Sequence, residues 1–390
     1  MNSEADDAGR AAEAAQIRLS EIAKPGDFFM KMVEDENPHG GAPRSITFVG
    51  IEFSPLDYDK LANTRLHEPL SIPLDWSHAR IFESEFDDLN IDIDGVARGH
   101  ATLESHLSSN FVSLQRGGWL PSGLAISRAG AMILPDRNVI SAVKGRFQAG
   151  ATVGKDRDFL DMLAGAKVRI NPLLHAMEGK GRAPPDPEDI EAELADAITT
   201  ISAALPDAEI VVGDRSVEAA ARMIDEFRAA HDKNVAFLLD VAPGLTPPTS
   251  RQKLPGRWAE ILAAADRHRV ARNSLLALAT LSAAAVPNSG SAAKALLKFR
   301  PDYGPQDAYN ALADIRALEI LIHLFALFPD ERPAFFTGDR ALALFWTGIG
   351  ASDFALKPSG VSFSLEPVEA LFPGESLGHW RDMLGDAVSG

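Results

Sequence analysis

The chain has 390 residues, more than a single hydrophobic core usually spans, so more than one unit is expected. Its 46% apolar and 24% charged residues describe a globular protein rather than a fibrous or disordered one, and the absence of cysteine excludes disulfides, thiolate metal sites and thiol nucleophiles. A formal charge of −17 excludes a broad nucleic-acid-coating surface, because phosphate binding is driven by Lys and Arg releasing counterions, although a local basic patch or bound cation can invert the field inside a cleft.

Residues 1–40 read as a helical arm and linker, with an amphipathic Ala/Glu-rich helix expected over Asp7 to Lys24. Met1 to Arg10 is acidic and carries no apolar signal-peptide core, and no run approaches the roughly 18 apolar residues of a spanning helix; a soluble, cytoplasmic protein without a membrane partner is expected. Residues 41–125 read as a small N-terminal α/β domain of unassigned role, opening with a β-rich run from Ser45 to Phe53. The NIDIDG stretch lacks a calcium loop's glutamate, since Ala101 stands there, and reads as a strand edge.

From 126 to 365 short apolar β runs alternate with helical patterns, which favours a parallel sheet. Strands are expected at Ala131 to Leu134, Glu209 to Gly213, Val235 to Val241, before Thr337 and at Ser362 to Leu365. Helical pattern covers Phe159 to Glu178, Ile190 to Ala204, Arg257 to Ala285, Ser291 to Phe299 and Gln306 to Phe328. The interval from about 243 to 305 reads as a helical insertion, and 366–390 as a C-terminal helical tail.

Asp136 and Asp339 each follow a short apolar β run, AMIL-P-D and AFF-TG-D, where the chain turns toward a helix. Ligand sites in open α/β sheets form outside the carboxyl ends of the strands, so the two acids can converge although 203 positions separate them. A lone strand-end Asp is more often a helix cap. Asp314 lies on a long helix in YNALADIRALEILIHLF, and Glu178 closes NPLLHAMEG, where Gly179 ends the helix. Four carboxylates in one pocket would raise one another's pKa, which favours a compensating cation, and all-oxygen ligation suits Mg²⁺ or Mn²⁺.

This order, Asp136, Glu178, Asp314, Asp339, resembles the PIN family of metal-dependent nucleases, and FFTGDRALALF, Phe335 to Phe345, is similar to that family's strand, Thr-x-Asp turn and helix. Asn138 in DRNV and Thr337 match supporting positions. The resemblance covers roughly Ala131 to Leu365 and implies a PIN-like three-layer α/β fold with a parallel sheet, enlarged by the insertion. It also implies a Mg²⁺- or Mn²⁺-dependent endoribonuclease that leaves a 3′-hydroxyl and a 5′-phosphate. All four acids are then candidate catalytic and metal-binding residues, with Asp307 and Glu319 as substitutes for Asp314.

Lys144, Arg146, Lys155 and Arg157 follow Asp136 closely and are expected to overhang the site as an RNA anchor. GATVGKD falls short of a P-loop; Arg267, His268, Arg269 and Arg272 read as a solvated helix face. His175, one turn before Glu178, is either a ligand or proton shuttle or a buried helix histidine, and Trp258 and Trp346 are expected in the core. The competing reading is a non-catalytic PIN-like interaction module of a toxin or defence system. Its acids would persist as caps, and its N-terminal domain or insertion would bind a protein partner or a second copy.

Overall fold

The computed structural model of the protein describes residues 29–384, apart from 35–39, 41–42, 87, 89, 94, 128–129, 155, 180–183, 287–289 and 359. The helix expected over Asp7 to Lys24 lies outside the described residues, as does Lys155. No helix among the described residues is long and apolar enough to cross a membrane.

The first unit is an antiparallel sheet of β1 (Phe29–Val33), β2 (Ser45–Val49), β3 (Glu52–Phe53), β4 (Ser71–Ser84) and β5 (Val96–Glu104), with one short helix, α1 (Tyr58–Asn63). The run expected as one strand from Ser45 to Phe53 is two, because Gly50 takes a φ of 69° and turns the chain so that both halves pair with β4.

The hairpin β6 (Val112–Gln115) and β7 (Gly118–Pro121) and the short helix α2 (Ser122–Ala125) follow. Then come β8 (Met132–Pro135), α3 (Arg137–Arg146), a small ribbon of β9 (Phe147–Gln148) and β10 (Ala151–Thr152), β11 (Arg169–Ile170), α4 (Leu173–Glu178), α5 (Pro187–Ala204) and β12 (Glu209–Ile210). A helical block of α6 (Ser216–Leu245), α7 (Leu254–His268), α8 (Leu275–Ala285), α9 (Ala292–Leu297) and α10 (Pro305–Leu327) precedes β13 (Pro333–Thr337) and α11 (Arg340–Ile349). The chain ends in the hairpin β14 (Ala351–Lys357) and β15 (Gly360–Leu365) and helix α12 (Glu375–Leu384).

The central sheet is mixed, in the order β12-β11-β8-β13-β6-β7. Its first four strands run parallel, and β6 pairs antiparallel with β13. Strands from 112–121, which the sequence assigns to the preceding unit, therefore complete this sheet. Alternation along the pleat sends Met132, Leu134 and Phe335 into one core, and Ile133, Ala334 and Phe336 into another beneath α3 and α5. The result is a helix–sheet–helix sandwich. The first core continues into the antiparallel sheet through Phe48, Trp76 and Trp119, so the two sheets are packed together.

Two expected elements differ. Val235 to Val241 lies inside α6: although Asn234 and Pro243-Gly244 flank the run, Phe237, Leu238 and Val241 bury one helical face, and tertiary packing decides. The stretch from Phe159 to Glu178 is a 3₁₀ turn (Phe159–Leu163), then β11, then α4. The strand expected at Ser362 to Leu365 is present as the end of β15; it pairs with β14 and lies outside the central sheet, because Gly350, with a φ of 56°, turns the chain away after α11.

Candidate functional site

Parallel pairing of β8 with β13, with Pro135 opposite Phe336, brings the carboxyl ends of two distant strands together. The backbone N–H of Asp136 donates to the carbonyl of Phe336 at 3.0 Å. Asp136 and Asp339 each cap the helix that follows: one oxygen of Asp136 accepts from the Val139 N–H at 2.7 Å, and one of Asp339 from the Leu342 N–H at 2.9 Å. Capping uses one carboxylate oxygen and leaves the other for the cleft. The N-termini of α3 and α11 converge here, and their partial positive charge offsets that of the acids. Thr337 lies between the two: its hydroxyl accepts from the Asp339 N–H at 3.0 Å, and it sits near enough to the Asp136 carboxylate to help lower its pKa.

Glu178 arrives from a separate segment as the last residue of α4, terminated by Gly179 at a φ of 73°. Its carboxylate accepts from the Arg137 N–H at 3.3 Å, and its carbonyl from the Tyr309 hydroxyl at 3.3 Å and Arg316 at 3.4 Å. Arg137 also reaches the Gly179 carbonyl at 2.8 Å and Glu193 at 3.4 Å, tying α3 to the end of α4 and to α5. Asp314 projects from α10 and meets the Lys298 ammonium at 3.0 Å.

Asp136, Glu178, Asp314 and Asp339 thus line one cleft of about 450 Å³, together with Asn138, Thr337, Arg137, Arg316, Lys298, Gln306, Tyr309 and Asn310. Burial pushes the Asp136 carboxyl up to about 6, with the Glu178 charge adding to it and the Val139, Thr337 and Gly338 donors opposing it. Burial pushes Asp314 up to about 7; Lys298 pulls against this while Asp339 and Glu178 push further. Glu178 is also raised by burial, opposed chiefly by Arg137. Burial works against the charge on Lys298, yet Asp314, Asp339 and Asp307 hold its pKa above the ordinary value. Among the described residues no three His, Asp or Glu side chains stand close enough to hold one metal ion between them. The acids line a common wall and do not ring a point. Such oxygen donors suit a hard cation, and Mg²⁺ asks for only one or two carboxylates beside its waters.

Asp307 is not in the cleft: it accepts from the Gly304 N–H at 3.0 Å, caps α10 and pairs with Arg300 at 3.1 Å. Glu319, five residues after Asp314 and so about 140° around the helix, faces a different cavity. His175 is buried toward α5, its ring nitrogen 3.7 Å from Glu193, and does not line the cleft.

The expected basic overhang is corrected. Helix α3 runs away from Asp136, so Lys144 and Arg146 lie at its far end, about 15 Å along the axis. There Arg146 and Arg157 share Asp161 as their partner. The cations that do line the cleft are Lys298, Arg137 and Arg316. Lys298 is the C-cap of α9, in a left-handed conformation with a φ of 57°, and a lysine ending an apolar helix just before RPDYGP was the only hint of it in the sequence. Arg267 and His268 pair with Asp240, Arg272 pairs with Asp266, and Trp258 and Trp346 are buried.

The antiparallel sheet is fastened to the same place, since Arg340, the residue after Asp339, donates to the carbonyls of Leu61, Ala62 and Thr64 at the end of α1. No family model matches the chain, and no curated protein and no solved structure is significantly similar to it.

Proposed function

We propose that this chain is a PIN-like, metal-dependent endoribonuclease acting at the cleft between β8, β13, α4 and α10. The observation that carries the proposal is the arrival of Asp136, Glu178, Asp314 and Asp339, from four separate segments, in one cleft at the carboxyl ends of adjacent parallel strands. Burial, with neighbouring acids adding to it, pushes two of these carboxyls up to about 6 and about 7, and a bound cation would favour their ionised forms.

Asp136 and Asp339, with Thr337 between them, would take a water-rich Mg²⁺ or Mn²⁺, with Glu178 and Asp314 holding its waters. Bound there, the ion would supply Lewis acidity toward the scissile phosphate and an acidified water. Lys298 and Arg137 offer donors for phosphate oxygens, and the amides of Gln306 and Asn310, hydrogen-bonded to each other at 3.1 Å, border the entrance. The products, following the resemblance, are a 3′-hydroxyl and a 5′-phosphate.

The test is Mn²⁺-dependent cleavage of a mixed RNA pool. Wild type should cleave, while Asp136→Asn, which keeps the cap, should lose at least a hundredfold, and EDTA should abolish the activity. Equal cleavage by both proteins, or none by either, would sink the proposal. One observation favours the competing interaction module. The Lys298 ammonium, at 3.0 Å from Asp314, can itself neutralise the wall in place of a metal. In that case Lys298→Met would destabilise the fold and no Mn²⁺ would bind in calorimetry.

A further inference from the structure

Helix α10 separates two cavities. On the side away from the carboxylate cleft, a cavity of about 300 Å³ lies between α6, the start of α8 and α10, and Glu319 lines it. Its walls include Phe227 from α6, Leu276 from α8, and Leu312 and Ile315 from α10. The Glu319 carboxylate makes no hydrogen bond or ion pair with any described residue; only its backbone carbonyl is engaged, accepting from His323 at 2.7 Å.

Cations are near but committed elsewhere. Arg316, one turn back on the same helix face, is turned toward the Glu178 carbonyl at 3.4 Å. His231 of α6 lies edge-on to Tyr309 with ring centroids 5.7 Å apart, and burial holds its pKa below the ordinary histidine value. Arg269 lines the cavity from the end of α7 and is exposed to water. A partly buried carboxylate without a paired donor is costly, and a ligand bringing both a donor and a positive charge offsets that cost.

We propose that this second cavity binds a small organic ammonium ion, its charged head on Glu319 and its apolar body against Phe227, Leu276 and Leu312. The site shares only Arg316 with the carboxylate cleft and does not rest on the chemistry proposed there. Burial raises Glu319 to about 7, with Arg316 opposing the rise. At pH 6 the carboxyl is mostly protonated and cannot pair with an ammonium; at pH 8 it is mostly ionised. His231, whose pKa burial lowers, can only lose positive charge as pH rises, which does not reverse that trend. Affinity should therefore grow about tenfold from pH 6 to pH 8.

Isothermal titration calorimetry of the full chain with benzylamine tests this. Wild type should bind one equivalent at pH 8, about tenfold more tightly than at pH 6, and benzyl alcohol, which has the same body without the charge, should bind at least tenfold more weakly. Glu319→Gln should lose at least tenfold in benzylamine affinity, and Asp314→Asn, on the other side of α10, should lose none. The proposal is overturned by absent saturable binding in wild type, by an affinity unchanged between pH 6 and pH 8, or by equal losses in the two variants. Should Glu319→Gln not fold, the wild-type comparison across pH decides alone.

Discussion

At Thr337 a single hydroxyl accepts from the Asp339 N–H and lowers the pKa of the neighbouring Asp136 carboxyl, so both strand-end acids feel one side chain that valine would match in shape but not in bonding. Such a residue was legible in the sequence only through its neighbours, the FFTGD turn, because nothing in a lone threonine announces a bridging hydroxyl. Glu319 was legible as an acid but not as an isolated one, since its isolation depends on where Arg316 turns. Its charge makes a prediction for stability. A carboxyl raised to about 7 in the folded chain holds its proton longer than in the unfolded chain. Below its ordinary value both states are protonated and the difference vanishes; as pH rises from about 4.5 to about 7 the unfolded chain ionises first and stability falls. Glu319→Gln should remove this fall and gain about 2 kcal/mol on wild type at pH 8 relative to pH 5, after discounting the shift for residual solvent contact. Urea unfolding at the two pH values checks it, and parallel behaviour of the two proteins would count against an ionised, unpaired Glu319.

Elements that deliver the site were readable where a local rule and the fold agree. A short apolar run followed by Pro-Asp or Thr-Gly-Asp specifies a buried strand, a turn and a capped helix, and β8–α3 and β13–α11 are built that way. The direction of α3 was the weak point: nearness in sequence placed Arg146 beside Asp136, whereas a ten-residue helix carries it to the opposite end. The two-residue strand β11 is too short to show a period, and its pairing with β8 and β12 is dictated by the sheet rather than by its own residues. Gly179 carries the placement of Glu178. Its φ of 73° disfavours any side chain, and an added Cβ would come within 3.2 Å of Pro185. Gly179→Ala should cost about 1–2 kcal/mol in urea unfolding at an unchanged slope. If the cleft cleaves RNA, the substitution should also weaken cleavage by more than the folded fraction accounts for, because the Glu178 carbonyl would shift against Tyr309 and Arg316. An unaltered midpoint would mean that the α4 terminus absorbs the change.

The molecule as a whole carries −17, and this shapes any encounter with a polyanion. At about 0.01 M salt the screening length is about 30 Å and the whole charge repels RNA; at about 0.1 M it is about 10 Å and only the cleft is felt. If the cleft cleaves RNA, kcat/KM should hold level or rise as salt is raised across that range. A steep fall would instead reveal a broad basic surface that the described residues do not display. The total charge was plain from composition, but the position of Lys298, Arg137 and Arg316 inside an acidic wall was not, because it depends on packing between segments far apart in the chain. The same distance governs when the cleft comes into being. Asp136 and Asp339 are 203 positions apart, and β8 has no β13 to pair with until Pro333 to Thr337 have left the ribosome. If the cleft cleaves RNA, a chain stalled before Pro333 holds three of the four acids but no assembled cleft, and the order of synthesis itself would keep the unfinished protein inert toward RNA.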